Sequence, residues 1–124
     1  DNTTGVLKLQ SGVFLSDIVE TFVSRGWFLA VTPGTKLITV GGAIASDVHG
    51  KNHHKAGCFS ESVIAFTLVL PDGETIRCTK KKNICLFNAT CGGMGLTGVV
   101  VDVVIQLKRI KSQHIQQTTI KTNN

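Results

Sequence analysis

Residues 31–54 read Val31-Thr-Pro-Gly-Thr-Lys-Leu-Ile-Thr-Val-Gly-Gly-Ala-Ile-Ala-Ser-Asp-Val-His-Gly-Lys-Asn-His-His54, and they carry the densest signal in the chain. A glycine has no Cβ, so its backbone N–H can come close to a ligand. The pair Gly41-Gly42 is expected to open a short helix with free N–H groups pointing outward, where the helix dipole adds positive potential. Such a place suits a pyrophosphate; a tight turn is the competing explanation.

The segment that follows, His49 to His54, is almost entirely polar, which a core segment would not be. We weigh three interpretations: a metal site, a solvated loop, and the wall of a cofactor and substrate site. A metal is disfavoured, because the adjacent His53 and His54 cannot easily face one ion and the segment contains no cysteine or carboxylate. We favour the cofactor wall, because histidine and asparagine can hydrogen-bond a ring or a sugar and Lys51 can pair with an anion.

A second glycine cluster, Cys91-Gly-Gly-Met-Gly-Leu-Thr-Gly98, lies between a predicted helix and the last predicted strand. It could be a helix C-cap followed by a bulge, or a backbone that lies flat against a bound cofactor. Two such clusters in one small domain make a cofactor the better explanation of both.

The remaining patterns predict an α+β fold with a mainly antiparallel sheet and flanking helices. Ser16 is expected to N-cap the first helix and Gly26 to end it. The predicted strands cover 6–10, 62–70, 74–79 and 98–108, the further helices cover 43–48 and 83–90, and a polar loop covers 50–60.

Composition limits the function classes. The chain is 42% hydrophobic and 17% charged, as in ordinary globular domains, and no apolar run approaches the ~18 residues that span a bilayer. Its four cysteines form no Cys-x-x-Cys pair, so we expect reduced, mostly buried thiols and a reducing compartment. No basic start followed by an apolar stretch is present. We therefore expect a cytoplasmic location.

The formal net charge of +5 includes the run Lys80-Lys81-Lys82. We interpret that run as a solvated turn, although a basic module that holds an anionic partner without catalysis is the alternative function. No aromatic residues interleave with the lysines, so the stacking surface of a nucleic-acid binder is absent and we expect no nucleic-acid partner.

The glycine motifs carry a resemblance. Pro33 to Thr35, Val40 to Ala45 and His49-Gly50 are similar to the FAD-binding (PCMH-type) domain of the vanillyl-alcohol-oxidase superfamily, which includes aldonolactone and alditol oxidases. The string from Asp47 to His54, with the later cluster from Gly92 to Gly98, resembles decaprenylphosphoryl-ribose oxidases in particular. The similarity covers nearly all of residues 5–110, and the His-Gly-Lys-Asn-His-His string is its most specific part.

The resemblance implies an FAD-dependent oxidoreductase acting on a sugar-type alcohol carbon, such as that of a polyprenylphosphoryl ribose, in the cytoplasm or at a membrane surface. It implies that His49 lies beside the isoalloxazine and that Lys51 faces the sugar pocket as the substrate-side catalytic residue. Metal ligands are not implied. The positions that match FAD contacts are Gly34, Thr39, Val40, Gly41, Gly42, Ser46, Asp47, Val48, His49 and Val100.

One departure from the family pattern affects domain organisation. That family's FAD domain begins with an Arg/Gly-rich pyrophosphate loop and is followed by a substrate domain, and neither is in this sequence. We therefore expect residues 1–110 to be the second subdomain of an FAD-binding domain. Residues 111–124 would be a linker or the first strand of a substrate domain, and the chain alone would be inactive.

Overall fold

A computed structural model describes residue 1 and residues 3–122. The strands and helices are, in chain order, β1 (Val6–Gln10), α1 (Leu15–Phe22), β2 (Trp27–Phe28), α2 (Val40–Ala45), α3 (His53–Ala56), β3 (Val63–Val69), β4 (Thr75–Thr79), α4 (Ile84–Thr90), β5 (Val99–Gln106) and β6 (Lys108–Arg109). Short 3₁₀ turns occupy Val23–Arg25 and Phe59–Ser62. No helix within the described part is long and apolar enough to cross a membrane.

The main sheet has four strands in the order β1-β5-β3-β4, and each neighbouring pair is antiparallel. The predicted α+β class with an antiparallel sheet is therefore confirmed. The inner strand β5 buries Val103 and Ile105 completely, and the ring of Phe66 on the other inner strand, β3, stacks on Phe87 of α4 with centroids 5.0 Å apart. Burying each such side chain contributes about 1.5–3 kcal/mol, so this face is the core that holds α4 on the sheet.

The first helix begins one residue before the predicted cap, so the assignment of Ser16 as N-cap is wrong. Helix α1 starts at Leu15, and Ser16 is buried in its first turn. The first N–H groups of the helix are bound by backbone carbonyls of the segment before α2. The N–H of Leu15 donates to the carbonyl of Ile38 at 2.9 Å, and the N–H of Ser16 donates to that of Lys36 at 3.0 Å. The predicted end is confirmed: after a 3₁₀ turn, Gly26 adopts φ +79°, a left-handed conformation that glycine tolerates.

The glycine-rich helix begins earlier than predicted, at Val40 rather than at residue 43. The cause is Thr39, whose hydroxyl Oγ1 accepts the N–H of Gly42 at 3.1 Å and caps the helix. The predicted loop 50–60 contains the short helix α3 and a 3₁₀ turn, and Phe59 within it is fully buried. That segment is therefore anchored in the core.

The segment after β6 contains no strand within residues 111–122, and Ile115 and Ile120 are exposed there. Its assignment as a linker or first strand of a further domain, and the division of the chain at residue 110, stay predictions.

Candidate functional site

Two parts of the glycine-rich segment, residues 32–34 and residues 49–53, line one open depression of about 410 Å³. It is lined by Thr32, Pro33, Gly34, His49, Gly50, Lys51 and His53. Three of the predicted site residues, Gly34, His49 and Lys51, therefore meet here although the chain between them contains a whole helix.

Close backbone packing holds the floor of this depression. Gly50 is buried, and a Cβ built on it would lie 2.5 Å from the carbonyl oxygen of Thr32. The side-chain amide of Asn52 donates to the carbonyl of Ala30 at 3.0 Å, and His49 forms a β-bridge with Cys58. The side chain of Asn52 therefore fixes the turn at Gly50 to the segment before it.

The rim of the depression is formed by side chains that the rest of the chain leaves available. Lys51 is exposed, and the ion pairs within the described residues are Lys36–Glu20 and Lys80–Glu61, so it belongs to none of them. The ring of His53 meets that of His49 edge to face, with centroids 5.4 Å apart. Within the described residues, no group of three or more His, Cys, Asp or Glu side chains is placed to hold a metal ion.

The site glycines differ in what surrounds them. At Gly34 a Cβ would meet nothing within 4 Å, and the backbone lies outside the left-handed region, so no described part of the chain requires a glycine there. Gly42 is exposed, and a Cβ on it would approach only the Thr39 hydroxyl, at 3.2 Å. Gly41 is different, because its Cβ would lie 3.0 Å from Cβ of Ser11. Gly34 and Gly42 therefore offer open backbone to a ligand, whereas Gly41 serves the packing of the chain.

The expectation of free N–H groups at the start of α2 is wrong. Val40 donates to the carbonyl of Val13 at 2.9 Å, Gly41 donates to that of Ser11 at 2.8 Å, and the Gly42 N–H goes to Thr39. The first turn of α2 is hydrogen-bonded to the turn after β1, and these bonds satisfy the first backbone N–H groups of the helix. A ligand here would meet the outer surface of the turn rather than unsatisfied donors.

At the other end of α2, Asp47 serves the loop with its side chain. Its carboxylate accepts the N–H of Ser60 at 2.8 Å and the Ser60 hydroxyl at 3.0 Å. Ser46 is exposed at the helix end, and Val48 is half-buried, pairing its carbonyl with the N–H of Phe59 at 2.8 Å. Of these three predicted contact residues, Asp47 is the one whose side chain is hydrogen-bonded within the chain.

Val100 lies apart from the depression, near the start of α2. A register shift between β5 and β3 places it opposite Leu68, on the core side. The next residue, Val101, accepts the N–H of Ser11 at 2.9 Å, and the Ser11 carbonyl in turn accepts the N–H of Gly41. This backbone path links the strand next to Val100 to the start of α2. Gly34 and His49 instead line the depression, which does not include Val100.

The second glycine cluster packs on α2. Gly92 donates to the carbonyl of Ile44 at 2.9 Å and Met94 donates to that of Ala45 at 2.8 Å. A Cβ at Gly93 or Gly98 would collide with a backbone carbonyl oxygen, of Ala89 and Val69 respectively. The fold itself therefore requires these two glycines. The side chains of Met94 and Leu96 are left exposed beside the end of α2.

The basic run lies elsewhere and is a solvated turn, as predicted. Lys80 pairs with Glu61 at 3.1 Å, and the hydroxyl of Thr79 accepts the N–H groups of Lys81 and Lys82. The four cysteines are free thiols, but the expectation that most of them are buried is wrong: Cys78 is buried, Cys58 and Cys91 are half-buried, and Cys85 is exposed.

Comparison with known proteins gives consistent similarities. A family model described as "FAD binding domain" matches residues 1–79. Decaprenylphosphoryl-beta-D-ribose oxidase of Mycolicibacterium smegmatis is 39% identical over 86% of this chain and 24% of its own length. D-lactate dehydrogenase of Anaerostipes hadrus is 33% identical over 86% of this chain and 24% of its own length.

Among solved structures, 6-hydroxy-D-nicotine oxidase from Arthrobacter nicotinovorans superimposes with a TM-score of 0.78 at 28% identity, covering 88% of this chain and 24% of that one. The chain thus spans about a quarter of the length of these relatives.

Proposed function

The chain belongs to the FAD binding domain family, and from that premise we propose that it forms one wall of the flavin site in an oxidoreductase that oxidises a sugar-type alcohol carbon. The observation that carries this proposal is the depression in which Gly34, His49 and Lys51 meet. FAD is the cofactor of the family, and when bound it supplies the acceptor for the hydride that leaves the substrate carbon.

The residues of the chain fit an extended dinucleotide. Open backbone at Gly34 and Gly42 gives two places where a flat or bulky group can approach without meeting a side chain. Gly34 lines the depression, and Gly42 lies in the first turn of α2. We propose that the flavin end lies at the depression and that the remainder runs along α2. The proposed FAD contacts are Gly34, Thr39, Val40, Gly41, Gly42, Ser46, Asp47, Val48, His49 and Val100.

Lys51 has the chemistry of a substrate-side residue. It is exposed at the rim, and no ion pair among the described residues neutralises its ammonium group. Such a group can pair with a substrate phosphate or with negative charge that develops on the reduced cofactor, a contact of roughly 1.5–3 kcal/mol. His49, beside it, is a polar aromatic ring that can contact the face or edge of the flavin.

The substrate we propose is an anionic sugar, of the polyprenylphosphoryl ribose type. The support is the 39% identity to an oxidase named for such a substrate, together with the available lysine. A lipid-linked substrate would bring the protein to a membrane surface. The similarity to a D-lactate dehydrogenase makes a small hydroxy acid the competing substrate, which shares the alcohol carbon and the negative charge.

The test is the reductive half-reaction of the full-length protein with farnesylphosphoryl ribose as substrate. Lys51→Ala should slow flavin reduction about tenfold to a hundredfold while FAD occupancy stays near wild type. Lys55→Ala is the matched control, because Lys55 is exposed in the same segment but does not line the depression. Equal reduction rates for Lys51→Ala and wild type would remove Lys51 from the site, and a wild-type protein without flavin would favour the non-catalytic basic module.

A further inference from the structure

His53 has a fixed ring orientation that its place in a polar loop does not reveal. Its backbone N–H and its ring Nδ1 both lie at hydrogen-bond distance from the carbonyl oxygen of Gly50, at 3.1 Å and 3.2 Å. A carbonyl oxygen can only accept, so the ring bond requires the proton on Nδ1. In the neutral imidazole, Nε2 then carries a free lone pair and is an acceptor.

The carbonyl that holds this ring is itself immobilised. Gly50 is buried against the backbone of Thr32, and the amide of Asn52 ties the same turn to Ala30. The ring of His49, 5.4 Å away, packs edge to face against the ring of His53. Fixing a ring before a ligand arrives lowers the entropy cost of using it, so His53 is preorganised for a contact.

We propose that His53 is a specificity-determining residue, whose Nε2 accepts a hydrogen bond from a hydroxyl of the bound sugar other than the one that is oxidised. His53 lines the depression, and the Nε2 edge of its ring is the one not turned to Gly50. This inference rests on the proposed function, because it requires the sugar to occupy the depression.

The neighbours of His53 fit an acceptor role. The titratable groups beside it are Lys51, His49 and His54, and the facing residues 32–34 carry none. Lys51 can donate to an anionic group of the substrate. His53 can instead accept a hydrogen bond from a substrate group that donates, such as a hydroxyl. His54 is the natural control: it is also exposed, its ring lies 6.0 Å from that of His53, and it does not line the depression.

The experiment measures kcat/KM of the full-length holoenzyme for farnesylphosphoryl ribose and for those of its 2-, 3- and 5-monodeoxy counterparts that keep the hydroxyl to be oxidised. In His53→Asn the shorter amide can still donate to Gly50, but the distal acceptor is lost. We expect kcat/KM for the ribosyl substrate to fall about three- to tenfold, mainly through KM, with FAD content unchanged. For one deoxy counterpart the loss should vanish, because the hydroxyl that His53 contacts is already absent. His53→Gln, which keeps a distal acceptor, and His54→Asn should both stay near wild type.

The possible results distinguish a failure of this inference from a failure of the proposed function. A loss that is equal for all the oxidised sugars, or no loss, would overturn the role of His53 while leaving the proposed function intact. A wild-type holoenzyme that none of these sugars reduces would overturn the proposed function, and this inference with it. If both His53 variants lose flavin or fold poorly while His54→Asn does not, the residue is structural and the inference is wrong.

Discussion

The carboxylate of Asp47 holds Ser60 through two hydrogen bonds, one to its backbone N–H at 2.8 Å and one to its hydroxyl at 3.0 Å. Asp47 itself adopts φ +39°, a left-handed conformation that aspartate tolerates better than most residues. The pair closes the segment that carries His49 and Lys51, so the geometry of the depression depends on a carboxylate that does not line it.

Replacing Asp47 should therefore destabilise the chain. In Asp47→Ala both bonds are lost and a residue without a polar side chain must keep a positive φ, so we expect a loss of about 2–3 kcal/mol in unfolding free energy. Asp47→Asn should lose less, because its amide oxygen can still accept and asparagine tolerates this conformation. Urea denaturation of the variants measures both. An Asp47→Ala protein as stable as wild type would mean that the bonds to Ser60 contribute nothing.

Adjacent glycines should separate folding from cofactor binding. Gly42→Val should reduce FAD loading with a small effect on folding, because a side chain there enters the open surface that we assign to the cofactor. Gly41→Val should instead lower stability, because its side chain would meet Ser11. Visible flavin absorbance and thermal unfolding of the two full-length variants give the answer. Normal flavin content in a folded Gly42→Val protein would place the cofactor elsewhere.

The turn at Gly50 should tolerate no side chain. A methyl group in Gly50→Ala would lie 2.5 Å from the Thr32 carbonyl oxygen and 2.9 Å from Oδ1 of Asn52, so the backbone must shift. We expect a loss of several kcal/mol, whereas Asn52→Ala, which removes one hydrogen bond to Ala30, should cost about 1 kcal/mol. Gly12→Ala is a control, because a Cβ there meets nothing within 4 Å. Equal stability of the Gly50 and Gly12 variants would contradict the close packing.

Alkylation should distinguish two cysteines near α4. Burial, and secondarily the carboxylate of Asp47, raise the pKa of Cys91 to about 11, above the ordinary range of a thiol. The folded state thus favours the neutral thiol. This contribution to stability is present below the ordinary thiol pKa and is lost as pH rises toward 11.

At about pH 8, iodoacetamide should label the exposed Cys85 and spare Cys91, since the thiolate is the nucleophile. Mass spectrometry of the native chain reads the sites, and rapid labelling of Cys91 would show that the segment opens.

The sequence alone was sufficient for the strands of the main sheet and for the family, although not for the order of the strands. Alternation along β1, the hairpin of β3 and β4, and the long strand β5 are local patterns, because each strand buries one face and the side-chain period is two. The string from Asp47 to His54 indicated the FAD-binding family without any tertiary information, and the family match bears this out. Such features depend on residues that are neighbours in the chain.

Only the tertiary structure decided what the site residues do. Gly41 and Gly42 look alike in the sequence, yet Ser11 packs against the first, whereas the backbone of the second is open to a ligand. Asp47 is committed to Ser60, and the ring of His53 is committed to the carbonyl of Gly50. The reason is physical: a hydrogen-bonding group or an open surface is defined by the atoms that face it. Because folding brings many of those atoms from distant parts of the chain, local pattern cannot tell a structural polar residue from one that is free to bind.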